Sequence, residues 1–314
     1  MAISYLSGGR LQGSTTDLAY MGTFTRGLFF GGFTNAAKLN TMDYVTIAST
    51  GNATDFGDLS VARGNGVKGF ASTTRGVMGG GHDGANTNVI DYVTVATAGN
   101  AIDFGDLTVA RREYSTTDNR TRGVWAGGRS SADDTTMDYV TIATIGNATD
   151  FGDLTVARRF HAGNMTNGTR GVFAGGHDGS LSNVIDYITI ATAGNATDFG
   201  DQTSNAGGGA GCSSFTGGRG IYAGGEISSG LINVMEYITI ATTGNGTDFG
   251  DLSAINYDLA GCSSGVRGLF GGGRYNNVSD ASNEIDYITI ATTGNAADFG
   301  DLTVARKGLG GLSA

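Results

Sequence analysis

Short extended runs with apolar residues on both faces recur along the whole chain. In Gly171-Val172-Phe173-Ala174-Gly175-Gly176, Val172 and Ala174 fall on one face of a strand and Phe173 on the other. In the run Ile185 to Ile190, Ile188 and Ile190 share one face while Ile185 and Tyr187 share the opposite one. A sheet with one face in water would show a single apolar face, so this pattern predicts sheets sandwiched between neighbours. Three phrases carry the pattern. The first, Arg-Gly followed by two apolar residues, one variable residue and a Gly-Gly, begins at Arg26, Arg75, Arg122, Arg170, Arg219 and Arg267. The second holds Tyr44, Tyr92, Tyr139, Tyr187, Tyr237 and Tyr287, and the third, ending in Asp-Phe-Gly-Asp, holds Phe56, Phe104, Phe151, Phe199, Phe249 and Phe299.

A repeat of about 48 residues built of short strands signals a propeller or a related array. Each copy reads as four strands, A to D. In the fourth copy they are expected over 159–165, 169–175, 185–192 and 197–203, and in most copies strand D runs on into Leu-Thr-Val-Ala-Arg. Six copies predict an all-β, six-bladed β-propeller with four antiparallel strands per blade. The large residue in strand B (Phe29, Met78, Trp125, Phe173, Tyr222, Phe270) is the expected inter-blade packer, worth about 2–3 kcal/mol where fully buried. The Gly-Gly pair lets the chain leave the sheet at positive φ. Gly51-Asn52 and its copies read as a hairpin turn from C to D, with positive φ at both Asn and Gly. The ring is expected over residues 16–306. Residues 1–15 precede it, with an additional strand possible at Ile3-Ser4-Tyr5-Leu6, and 307–314 is left as a Gly-rich tail. Blade 1 is expected to have its own strand A around 17–25, so closure borrows nothing from the other terminus.

Composition narrows the function classes. A net charge of -10 argues against nucleic acid and anionic membranes as partners. With 56 Gly and no Pro, but only 15% charged residues, the chain reads as folded rather than disordered. Cys212 and Cys262 lie out of register in successive repeats and read as buried free thiols. The opening residues lack the basic and apolar regions of a signal peptide, so synthesis in a cytoplasm is expected. No apolar run approaches the ~18 residues of a membrane span.

Arg158-Arg159-Phe160-His161, Gly171 to Gly176 and Ile185-Asp186-Tyr187 together resemble the kelch repeat over nearly the whole chain. The departure is Phe, in Asp-Phe-Gly-Asp, where that family has Trp on strand D. The near-verbatim Asp-Tyr…Thr-Ile-Ala-Thr…Gly-Asn-Ala-Thr-Asp-Phe-Gly-Asp repeats are also similar to proteins encoded by tailed bacteriophages, marine ones especially. That second resemblance implies a virion component, made in the host cytoplasm.

Chemistry has little to build on. Asp-Phe-Gly-Asp has no phosphate loop, strand lysine or catalytic loop beside it, and two carboxylates separated by Phe-Gly do not make a calcium cage. Its aspartates are expected to bond backbone amides or the repeated arginine of a neighbouring strand. Asn-x-Thr/Ser at Asn52, Asn147, Asn195 and Asn245 is turn chemistry. His82, His161 and His177 have no nucleophile assigned to them, so no enzyme, metal or cofactor is expected. The copies differ in their B–C loops and D–A connections, which emerge on one face of the disc. Recognition is therefore expected from Arg112, Glu113, Tyr114, Asp133, Asp134, His177, Asp178, Arg274 and Tyr275. The expected function is a non-enzymatic binding or structural module, a phage fibre, tail-tip or capsid-surface protein. Its expected partners are other virion proteins or a host receptor or glycan, with homo-oligomers possible. The alternatives are a carbohydrate-active propeller enzyme or lectin, and a cellular kelch-type adaptor.

Overall fold

The computed structural model describes residues 4–5, 11–12, 25–275 and 280–314. Six sheets of four antiparallel strands stand around a central channel as a β-propeller. Blade 3 is representative, with strands A to D at Ser115–Asp118, Arg122–Ala126, Thr136–Thr141 and Thr149–Asp153. The A strands touch one another in a closed circle and line the channel. Among the described residues helix is limited to one 3-10 turn at Phe215–Gly217.

Packing follows from the two-faced strands. Each apolar cluster joins two adjacent blades: Val124, Met137, Phe151 and Leu154 of blade 3 meet Phe173, Ile188 and Ile190 of blade 4. All six strand-B packers are buried between blades, as their pattern predicts. The Gly-Gly pairs have the expected left-handed φ, 62° and 102° at Gly127 and Gly128, and a Cβ on Gly127 would lie 2.8 Å from the Arg158 carbonyl oxygen.

The repeated polar residues prove to be inter-blade bonds. Each Arg-Gly arginine lies over the ring of its own blade's tyrosine, 4.2 Å away for Arg122 and Tyr139. The same guanidinium donates to a carbonyl of the next blade, as Arg75 does to Ile142 at 3.0 Å. Each tyrosine meets its own Asp-Phe-Gly-Asp phenylalanine edge to face, 5.9 Å apart for Tyr139 and Phe151.

Four expectations need correction. First, the tail is no tail: Gly310–Ser313 pairs antiparallel with Arg26–Phe30 and is strand A of blade 1. Of the expected strand around 17–25, only Thr25 lies within the described residues, and its amide donates to the Ala314 carbonyl. The expected strand near Ile3–Leu6 is described only at Ser4–Tyr5, paired with Leu11–Gln12.

Second, strand D stops at the second aspartate, and Leu-Thr-Val-Ala-Arg is a bent connector. Its arginine turns into the next blade: Arg63, Arg111, Arg158 and Arg306 form buried ion pairs of 2.8–3.0 Å with Asp91, Asp138, Asp186 and Asp43. The arginine's partner is therefore the strand-C aspartate, not an aspartate of Asp-Phe-Gly-Asp.

Third, the asparagines of the C–D turn do not have positive φ. Asn147 instead accepts the Asp106 amide at 3.1 Å, while the Gly146 and Ala148 amides donate to Phe104 and Asp106 of blade 2. The turn is invariant because it docks on its neighbour's strand D.

Fourth, Tyr114 is not on an exposed loop. It is 1% exposed, packed in the cluster that holds Phe70 and Trp125, with its hydroxyl donating to the Gly79 carbonyl.

Candidate functional site

The D–A connections bring six backbone positions to the channel mouth on the variable-loop face. Glu113, Phe160, Gly208, Asp258, Gly308 and Gly66 each donate an amide to the preceding connection, and the bonds of 2.7–3.1 Å close into a circle. Every one of these six residues has a left-handed φ, between 55° and 82°. Three of them are glycines, for which that conformation carries no penalty. Glu113, Phe160 and Asp258 adopt it against their intrinsic preference, which marks positions where the side chain has been retained despite local strain.

Aromatic rings stand around this circle. Phe160 belongs to it, and Tyr257 lies against Gly208, with the two rings 5.9 Å apart. Phe33 leans on Gly308. Each has a cation nearby: Arg159 at 5.8 Å from Phe160, Arg274 at 5.1 Å from Tyr257 and Lys307 at 5.4 Å from Phe33.

Below the circle the channel is narrow. Asn164, at a bulge in strand A of blade 4 with φ 60°, accepts the Thr116 hydroxyl at 2.7 Å and donates across the channel to the Gly311 carbonyl at 3.3 Å. The spaces above and beside this peg have room for 10 and 20 Å³, and the one beyond it, lined by Asp118, Thr166 and Phe215, for 30 Å³. Such volumes hold one or two waters. These three spaces admit nothing larger.

The electrostatics of the mouth are unusual for so acidic a chain. Burial pushes the Asp258 carboxyl up to about 6, reinforced by Glu113 and opposed by Lys68. Burial also raises Glu113, although Arg112, Arg159 and Arg129 all act to lower it. Lys68 is lowered by burial and donates to the Leu309 carbonyl at 3.2 Å. Burial holds His161 well below the ordinary histidine range.

Apart from the buried Tyr114, the residues expected from sequence divide into three groups. Arg112, Glu113 and Asp133 converge: Arg112 pairs with Glu113 at 2.9 Å, and Arg159 reaches both Glu113, at 3.5 Å, and Asp133. Arg274 and Tyr275 pair with Asn256–Tyr257 at the blade 6 side, where Tyr275 meets the Ser253 hydroxyl at 2.9 Å. Burial followed by Glu284 pushes the Tyr275 phenol up to about 12.

The others are local. Asp134 holds the Thr136 amide and hydroxyl; burial acts upward on it, but these bonds and Arg111 leave it below the usual carboxylate range. Asp178 accepts from Ser180, and His177 pairs through its backbone with Arg159. Arg159, Phe160, Tyr257 and Asp258 lie in the variable D–A connections but are not among the residues singled out from sequence. A left-handed backbone position filled by something other than glycine would have pointed to Phe160 and Asp258, since the aligned positions in other copies are Gly208 and Gly308.

Among the described residues no three His, Cys, Asp or Glu converge as a metal site. No known protein-family model matches this chain, and no curated protein does.

Proposed function

We propose that this propeller is a non-enzymatic binding or structural module that works through the channel mouth and the loops around it. One observation carries the reading. The repeated Arg-Gly arginines and turn asparagines are taken up in holding blade to blade, whereas Glu113, Arg159, Phe160, Tyr257 and Arg274 differ between copies and gather on one face. Aromatic and arginine side chains at a rigid rim suit recognition. The kelch-like phrases and the likeness to tailed-phage repeat proteins favour a virion component, a fibre, tail-tip or capsid-surface protein. Its partner would be a host-surface glycan or receptor, or a neighbouring virion protein.

A second reading has its own support. The carboxyls of Glu113 and Asp258 beside Phe160 and Tyr257 are the acid-and-aromatic combination of a saccharide site, in a lectin or a carbohydrate-active enzyme.

The test compares two variants that both fold. One carries Phe160→Gly, Tyr257→Ala and Arg274→Ala at the mouth; the other carries Asp150→Asn and Asp198→Asn on the exposed outer strands. Attachment to host cells or virions is expected to fall only in the first. Loss only in the second would sink the assignment of the face, and turnover of a glycan by the native chain would replace the non-enzymatic reading by the enzymatic one.

A further inference from the structure

We infer that the sector of the mouth between blades 3 and 4 binds a carboxylate-bearing saccharide, a uronic acid within a surface polysaccharide. The inference rests on the reading of the mouth as a binding face and adds the chemistry of what it binds.

Ten of the 19 lysines and arginines are committed to the scaffold. The Arg-Gly arginines lie on tyrosines and the connector arginines Arg63, Arg111, Arg158 and Arg306 are buried in ion pairs. On the loop face, by contrast, Arg129 pairs through its backbone with Arg112, Arg112 and Arg159 both reach Glu113, and all three guanidinium groups act on that carboxylate. The carboxylates paired with these three are Glu113 and Asp133, one fewer than the cations. Among the described residues the Arg129 guanidinium makes no hydrogen bond or ion pair. A half-buried guanidinium beside two others is a fork for a planar carboxylate.

The neighbouring groups select a sugar over an acidic peptide. Glu113 is 7% exposed, and its Oε2 makes no hydrogen bond, its charged neighbour being Arg159 at 3.5 Å. Phe160, half-exposed and fixed in the backbone circle beside Arg159, is the aromatic ring of this sector against which the C–H side of a pyranose would pack. A uronic acid brings a carboxylate, hydroxyl donors and an apolar ring face within one residue; a glutamate side chain brings only the first. The net charge of -10 opposes the approach of any polyanion. At 0.1 M salt that repulsion is screened beyond about 10 Å, whereas contact with Arg129 is not.

The experiment titrates the full chain with trisaccharides of galacturonic, glucuronic and mannuronic acid, and with their carboxyl-reduced neutral forms, by calorimetry at 0.1 M salt. At least one acidic form is expected to bind, and its reduced form to bind at least about ten-fold more weakly. Arg129→Ala is expected to cost about ten-fold or more. Phe160→Gly, which puts in the residue already present at Gly208 and Gly308, is expected to weaken binding without lowering the melting temperature. Lys38→Ala, which removes one positive charge elsewhere on the same face, is expected to leave binding within about two-fold.

Equal binding of acidic and neutral forms, no binding of any uronate, an equal loss from Lys38→Ala, or preference for a poly-glutamate peptide would each overturn the inference. Attachment assays separate the two levels. If Arg129→Ala attaches normally while the mouth variant does not, the uronate is wrong and the binding face stands. If both attach normally, the face itself is wrong.

Discussion

Removing the Arg158 guanidinium would leave the Asp186 carboxylate in a junction where neither side chain has exposed surface. Taking one partner from a buried pair costs about 3–5 kcal/mol, because the survivor keeps its desolvation penalty and loses its counter-charge. Arg158→Met is expected to destabilise the ring by that amount in urea unfolding, and adding Asp186→Asn to recover part of it. A cost under about 1 kcal/mol would show that the pair carries little.

The chain itself contains two variations on this junction. Where blade 4 meets blade 5 the arginine is Ala206, and the acid is Glu236, held by Thr203 and the Tyr222 hydroxyl. Where blade 5 meets blade 6 the arginine is Asn256, and burial raises the Asp286 carboxyl with Ser253 as its main donor. The repeated arginine was legible in the sequence, but its partner was not. The aspartate it meets is about 28 residues downstream in the following blade, a distance fixed by how blades stack rather than by any strand's own pattern.

A second residue-scale test uses Asp118 on the other side of the Asn164 peg. Burial pushes its carboxyl up to about 6, against the Arg120 amide that it accepts at 2.8 Å. A carboxyl raised in the folded state binds more protons folded than unfolded. Its contribution is therefore greatest below the unfolded value of about 3.9 and is lost as pH rises through about 6. Relative to Asp118→Asn, the native chain is expected to lose stability between about pH 4 and pH 7 in denaturant titrations. The comparison is with the variant because Asp258 shifts the same way and Asp134 the opposite way. Parallel pH profiles would refute the assignment.

At the scale of strands and turns, apolar alternation placed strand B of blade 4 to within two residues and strand C to within four: Arg170–His177 and Leu181–Thr189, against expectations of 169–175 and 185–192. Both faces of those strands are filled by neighbours, so the pattern is strong. Strand A was less legible, because its sequence differs from copy to copy: Ser-Thr-Thr-Asp in blade 3, Ala-Gly-Cys-Ser in blades 5 and 6, Gly-Gly-Leu-Ser in blade 1. Small residues there answer to the neighbouring backbone. A Cβ on Gly311 would lie 2.6 Å from the Gly261 carbonyl oxygen, and one on Gly261 would lie closer still to that of Gly211. Such a strand has no alternation to read. The C–D turn was recognised as invariant but credited with turn chemistry alone, since the amides it meets belong to another copy. The same limit applies to the mouth. Its loops were visible as the places where the copies differ, but not the backbone circle that holds Glu113, Phe160 and Asp258 at left-handed φ.

Closure is a property of the whole molecule, and six residues at one end of the chain account for much of it. Leu309–Ala314 completes blade 1 by pairing Gly310–Ser313 with Arg26–Phe30. The same segment accepts Lys68 of blade 2 at the Leu309 carbonyl and Asn164 of blade 4 at the Gly311 carbonyl. The Ser313 hydroxyl accepts the Ser263 amide of blade 6 at 2.6 Å, and Leu312 is buried among residues of blades 1 and 2. Truncation after Gly308 therefore removes the inner strand of one blade and contacts to three others. It also opens a sheet edge inside the ring, where the donors and acceptors of Arg26–Phe30 would lose their partners. Leu312→Ala measures the side-chain share of this, about 2–5 kcal/mol. The truncated chain is expected to lose considerably more than that variant, with a broadened thermal transition and a larger radius of gyration in solution scattering, because a ring that is not closed no longer holds its blades as one cooperative unit. If the truncated chain kept the melting temperature and scattering profile of Leu312→Ala, the closing strand would be a passenger, and the ring would be held by its other junctions alone.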